Sequence, residues 1–126
     1  MSRILVVDDE PDLRFILRRI FEKAGHEVAD AVHGAQALEF ARESPPELVV
    51  TDMMMPVMDG AELIRRLRRD PATAGIAILA ASGDPGLAEG ADAVVTKPFL
   101  SRPLVEVVDA LLRGVSLRDA PLRDAP

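Results

Sequence analysis

Three acidic positions, one lysine and one hydroxyl carry the side chains with chemical potential in this sequence, and each follows a short apolar run. Asp8-Asp9 follow Arg3–Val7, Asp52 ends Val49-Val50-Thr51, Ser82 follows Ile76–Ala81, and Lys97 follows Ala93–Thr96. If those runs are parallel strands of one sheet, all five residues stand beyond the carboxyl ends of the strands, where open α/β sheets bind ligands. Carboxylates gathered so closely repel one another. A hard divalent cation removes that conflict. Magnesium takes one or two carboxylates together with waters and phosphate oxygens. An oxygen-only donor set in a chain without cysteine suits Mg2+, with Mn2+ the alternative, and suits zinc poorly. A carboxylate beside such an ion can attack phosphorus and form an aspartyl phosphate. Phosphoryl transfer asks for in-line positioning and neutralised oxygen charge. Lys97 and the Ser82 hydroxyl are of the right type to supply part of that neutralisation.

Each residue also has a plainer reading. An aspartate or serine after a strand is commonly a turn or cap, and Lys97-Pro98 is commonly a turn. Met53, Met54, Met55 and Met58 read as packing and loop residues. The ordered combination at successive strand ends is what sets the acidic reading apart.

The elements that would position these residues are legible from periodicity. Ile4–Val7 is a continuous apolar run of the kind buried on both faces of a parallel sheet. Pro11 suits a first helical turn, Leu13, Ile16, Leu17, Ile20, Phe21 and Ala24 form a helical stripe, and Gly25 ends it. Glu27–Ala31 is a weaker strand. Ala35, Leu38 and Ala41 mark a second helix that stops at Ser44-Pro45-Pro46. Leu48–Thr51 is the third strand. Ala61, Leu63, Ile64 and Leu67 give a third helix, with Arg65, Arg66, Arg68 and Arg69 on a solvated face. Ile76–Ala81 and Ala93–Thr96 are further strands. Ser101 can cap a last helix that turns Leu104, Val105, Val108, Leu111 and Leu112 inward. Alternation of this kind implies an α/β three-layer sandwich with right-handed crossovers.

The totals limit the function classes. At 126 residues the chain is most simply one domain. A net charge of −6 argues against direct nucleic-acid binding and against an anionic membrane surface. No apolar run approaches the roughly 18 residues of a membrane span, and no signal sequence opens the chain, so a cytoplasmic protein is expected. Absence of cysteine excludes disulfides and thiol catalysis.

Taken together, Asp8-Asp9, Asp52 with Met55-Pro56 and Asp59-Gly60 beyond it, Ser82, and Lys97-Pro98-Phe99 resemble the receiver domain of two-component response regulators over residues 2–113. The resemblance implies a flavodoxin-like, doubly wound, five-stranded parallel sheet in the order 2-1-3-4-5. It implies that Asp52 accepts a phosphoryl group from a histidine kinase or histidine phosphotransfer protein. By the same resemblance Asp9, Asp52 and the Met54 carbonyl bind magnesium, Asp8 holds a metal-bound water, Lys97 and Ser82 contact the phosphoryl oxygens, and Lys97–Pro98 is cis. The chain would act on no other substrate, catalysing only its own phosphorylation and dephosphorylation. It would signal to an output protein by phosphorylation-dependent binding, as a monomer or weak dimer.

Two departures bear on output. Gly83 to Asp92 is too short for the several turns of helix that receivers place before the lysine strand, because a crossover containing a helix needs at least about 10–12 residues. One short turn or an irregular loop is expected there. Val94 stands where the family commonly has Tyr or Phe, so the usual coupling of hydroxyl and aromatic is absent. Residues 114–126 contain Leu-Arg-Asp-Ala-Pro twice and read as a flexible tail. Two other classes compete. A receiver-like module that binds without phosphorylation would tolerate both departures. A magnesium phosphohydrolase would need a second acid two residues after its nucleophile, where Met54 stands.

Overall fold

The computed structural model describes residues 2–82, 88–96 and 101–114. The apolar run Arg3–Val7 forms β1, and α1 spans Pro11–Lys23. Pro11 stands at its first turn, and Gly25, at φ +95°, turns the chain beyond it. Then come β2 (Glu27–Ala31), α2 (Gly34–Glu43), β3 (Leu48–Asp52), α3 (Gly60–Arg69), β4 (Ala77–Ser82), β5 (Ala93–Thr96) and α4 (Ser101–Leu112). The five strands form one parallel sheet in the order β2-β1-β3-β4-β5, as expected. Side chains alternate across a strand, and this splits the core in two. Leu5, Val7, Val49, Ile78 and Ala80 pack with α2 and α3. Ile4, Val6, Leu48, Val50, Leu79 and Val95 pack with α1 and α4. Burial on both faces explains why these strands read as unbroken apolar runs.

Helix ends follow their chemistry. The Asp59 side chain accepts the Glu62 N–H at 2.9 Å and caps α3. His33 Nδ1 accepts the Gln36 N–H at 3.1 Å and caps α2. Thr73, fully buried, donates its hydroxyl to the Leu67 carbonyl at 2.8 Å and so satisfies one open carbonyl at the end of α3.

Two expected core positions shift. Ile16 is 51% exposed, because α1 packs on the sheet through Leu17 and Phe21 and its stripe is wider than that contact. In α4 it is Val107, with Leu104, Val108 and Leu111, that is buried, whereas Val105 and Leu112 are only partly covered. Between β4 and β5, residues 88–92 form a turn and no helix. The Ala91 N–H closes it on the Ala88 carbonyl at 3.1 Å, and Gly90 supplies φ +92°. Ala88 and Ala91 lie on the α2–α3 side of the core. The expectations for Gly83–Leu87, for the Lys97–Pro98 bond and for residues 115–126 lie outside the described residues. Among the described residues, no helix is long and apolar enough to cross a membrane.

Candidate functional site

The carboxyl edge of the sheet brings Asp8, Asp9 and Asp52 together. β1 ends at Val7, paired with Thr51 of β3, so the residues that follow each strand leave side by side. One carboxylate oxygen from each aspartate lies within 4.8 Å of the other two. Asp8 and Asp52 are buried, at 2% and 8% exposure, and Asp9 is exposed.

Local contacts fix the two buried acids. Asp8 Oδ1 accepts the Glu10 N–H at 2.9 Å, which turns the chain into α1. The Asp8 N–H donates to the Ala31 carbonyl of β2 at 3.1 Å. Arg14 donates from Nη1 to the Asp8 carbonyl at 2.8 Å while its Nε stands 3.6 Å from Asp30. Asp52 Oδ1 accepts the Met53 N–H at 2.9 Å, and the Thr51 hydroxyl donates to the Asp52 carbonyl at 2.8 Å. Hydrogen bonds of this kind hold a carboxylate in one orientation.

The loop beyond Asp52 is anchored at both ends. The Gly60 N–H donates to the Met53 carbonyl at 3.1 Å, and the Gly34 N–H to the Met58 carbonyl at 3.0 Å. A Cβ on Gly60 would stand 2.4 Å from the Asp52 carbonyl oxygen and 2.8 Å from Met53 Cα, so only glycine lets α3 begin this close to the acid-bearing strand. At the outer tip, the Met58 N–H bonds the Pro56 carbonyl at 2.7 Å around Val57 at φ +67°. That is a three-residue γ-turn, a strained conformation for a β-branched residue. Met53 is core, and Met55 and Met58 pack against the core, as their packing reading expects. Met54 is 74% exposed.

Ser82 ends β4 one residue beyond Ala81, the partner of Asp52, and opposite Thr96 of β5. The backbone thus brings β4's last residue to the same edge. Lys97 lies outside the described residues.

The sequence of this fold matches the description of the response regulator receiver domain over residues 4–109. The chain belongs to that family. Relatives of the receiver include the transcriptional regulatory protein PrrA of Mycobacterium tuberculosis, 41% identical over 116 residues. That match covers 88% of this chain and 50% of PrrA, so the receiver spans about half the length of that regulator. Protein PilH of Pseudomonas aeruginosa is 32% identical, with 90% of this chain and 100% of PilH covered. Among solved structures, the signal receiver domain of a histidine kinase from Syntrophus aciditrophicus superposes with a TM-score of 0.85 at 31% identity, covering 96% of this chain and 97% of that one.

The donor set of this receiver fits a hard divalent cation. It is oxygen only, and two of its three carboxylates are buried where mutual repulsion is least screened. Both histidines are placed elsewhere: His33 caps α2, and His26 stands 3.8 Å from Asp109 of α4.

One expectation for the third helix is corrected. Arg65 and Arg66 do lie on an exposed face, where both hydrogen-bond Glu62 and hold its carboxyl below the usual range, Arg65 first. Arg68 does not belong to that face. It turns back into the protein and joins Asp92 at 2.8 Å. Sequence reasoning also missed how closely Gly60 approaches Asp52; the Asp59-Gly60 pair was its only local signal.

Proposed function

We propose that this receiver is a phosphorylation-dependent signalling switch. Asp52 is the acceptor of a phosphoryl group from a histidine kinase or histidine phosphotransfer protein, and the phosphorylated form binds an output protein. The observation that carries the reading is the convergence of Asp8, Asp9 and Asp52 within 4.8 Å at the carboxyl edge of the sheet.

In this reading Asp9, Asp52 and the Met54 carbonyl would hold Mg2+, with Asp8 beside them. The ion supplies charge neutralisation of the phosphoryl oxygens. Asp52 is the nucleophile. Its carboxylate oxygen forms a bond to phosphorus as the bond from phosphorus to the donor's imidazole nitrogen breaks, and the electron pair leaves with that nitrogen. The Met53 N–H on Asp52 Oδ1 keeps the carboxylate aimed out of the strand end. Arg14 and the Glu10 N–H keep Asp8 from turning away from the edge. Ser82 and Lys97 bind phosphoryl oxygens once they are on Asp52. All of these roles rest on family membership matched residue by residue, and on the carboxylate geometry.

The test is intact-protein mass spectrometry after incubation with acetyl phosphate, with and without Mg2+, on wild type and Asp52→Asn. The expected result is a single phosphoryl adduct that needs Mg2+ and is absent from Asp52→Asn. An adduct of equal yield in Asp52→Asn refutes the assignment of the acceptor. No adduct either from acetyl phosphate or from a phosphorylated histidine protein refutes the switch in favour of constitutive binding.

A further inference from the structure

Arg68, near the end of α3, makes contacts that the acidic site does not explain. Its Nε donates to the Gly90 carbonyl at 3.0 Å, and its Nη1 to the carbonyls of Ala74 and Ile76 at 2.7 Å each. Its Nη2 donates to Asp92 Oδ2 at 2.8 Å. The same Oδ2 accepts the Ile78 N–H at 2.9 Å, and the Asp92 N–H donates to the Ile78 carbonyl at 2.8 Å. One planar guanidinium, whose fixed fork suits several acceptors at once, thus joins α3, the chain entering β4, and the turn before β5. Gly90 is pressed against the same helix: a Cβ there would stand 2.9 Å from Ile64 Cγ2.

This matters because β5 has little else to fix its register. It is four residues long, lies at the sheet's edge and pairs only with β4. Its central residues are Val94 and Val95, one on each face, so a slip by one residue would still bury a valine on both sides. Register is weakly specified where both faces are alike. A slip would move the strand by about 3.3 Å and turn each side chain to the opposite face. Asp92, one residue before the Leu79–Ala93 pair, locks the ladder at its start, and Arg68 holds Asp92. The other end of β5 is Thr96, opposite Ser82, at the acidic edge. α3 begins at Gly60, against the Asp52 carbonyl, and carries Arg68 near its other end, so one helix references both strands.

We infer that the Arg68–Asp92 clasp sets the register of β5 and thereby aligns the carboxyl end of that strand with Asp52, which makes both residues positioning residues for phosphoryl acceptance. This rests on the proposed function for its consequence, but not for the register itself. The experiment therefore has two readouts on folded Arg68→Ala, Arg68→Lys and Asp92→Asn. Amide exchange of residues 93–96 reads the register lock, and phosphoryl uptake from acetyl phosphate with Mg2+ reads the alignment. Arg66→Ala serves as a control on the same helix, and Val28→Ala, a buried position in β2 at the opposite edge of the sheet, as a destabilised control away from β5.

The expected result is a fall of about tenfold or more in β5 protection and in uptake for Arg68→Ala and Asp92→Asn, since misplacement by about 1 Å can cost 100-fold. Arg68→Lys recovers only part, for want of the fork. Both controls keep wild-type uptake. Wild-type protection of β5 in a folded clasp variant overturns the inference, and so does an uptake loss that Val28→Ala shares. If Arg68→Ala does not fold, Asp92→Asn, which keeps the shape and loses the charge, decides. If wild type takes up no phosphoryl group, the site's proposed role fails while the exchange readout still decides the clasp.

Discussion

Gly60→Ala and Gly75→Ala are the same substitution with opposite expected signs. At Gly60 the new methyl carbon meets backbone: the Asp52 carbonyl oxygen at 2.4 Å and Met53 Cα at 2.8 Å. An ordinary carbon–oxygen contact is about 3.3–3.6 Å, so the start of α3 or the end of β3 has to move by about 1 Å. Overpacking of this kind costs typically 1–3 kcal/mol, occasionally more. Backbone neighbours place this case at about 3 kcal/mol. Alanine returns about 0.4–1 kcal/mol by restricting the unfolded chain. The net loss is about 2 kcal/mol or more, which for a domain of this size lowers Tm by about 6–10 °C. At Gly75 nothing lies within 4 Å of the added Cβ, so only the gain of about 0.4–1 kcal/mol remains. Urea and thermal unfolding followed by circular dichroism measure both. Phosphoryl uptake by Gly60→Ala should also fall, about 100-fold for a displacement of about 1 Å at the nucleophile. A Gly60→Ala protein that melts no lower than wild type refutes the close-approach argument. A fall common to both variants refutes the distinction between them.

Val57→Gly should stabilise the protein by about 1 kcal/mol, because relief of φ +67° is worth about 1–3 kcal/mol and glycine's added unfolded-state freedom takes back about 0.4–1; equilibrium urea unfolding measures it. Thr73→Val should cost about 1–3 kcal/mol by leaving the buried Leu67 carbonyl without its hydroxyl donor, and an unchanged urea midpoint would rule that out. Asp8→Asn keeps the acceptor for the Glu10 N–H but removes one charge from a cluster within 4.8 Å, worth about 1–3 kcal/mol at effective dielectrics of roughly 20 to 80. Its Tm should rise without Mg2+, and the further rise that Mg2+ gives the wild type should shrink. The Glu62 carboxyl is held below the usual glutamate range by Arg65 and Arg66, so that contribution is present above that range and is lost as pH falls through the lowered value. On an exposed helix face it is small, and Glu62→Gln should leave Tm nearly unchanged at pH 7.

Every strand and helix among the described residues could be read from the sequence to within a residue or two, from Arg3–Val7 through the last helix. The reason is local. A strand buried on both faces writes an apolar run, an amphipathic helix writes a stripe, and Pro11, Gly25 and Asp59 mark the ends. Asp8, Asp9 and Asp52 could be placed at one edge because parallel strands deliver their carboxyl ends together. The sequence also showed that the crossover before β5 was too short for a full helix. Tertiary structure alone decided the rest. Ile16 and Val105 obey the helical period, yet the width of the α1 and α4 contacts leaves Ile16 at the surface and Val105 only partly covered. Arg68 has the same type and neighbourhood as Arg65 and Arg66, and only the folded placement of the Ala74 and Ile76 carbonyls, Gly90 and Asp92 around it turns it inward. Gly60 is needed because the Asp52 carbonyl comes to 2.4 Å from where its Cβ would be. Such contacts depend on how the elements pack in three dimensions, and a helical or strand period carries no record of that packing.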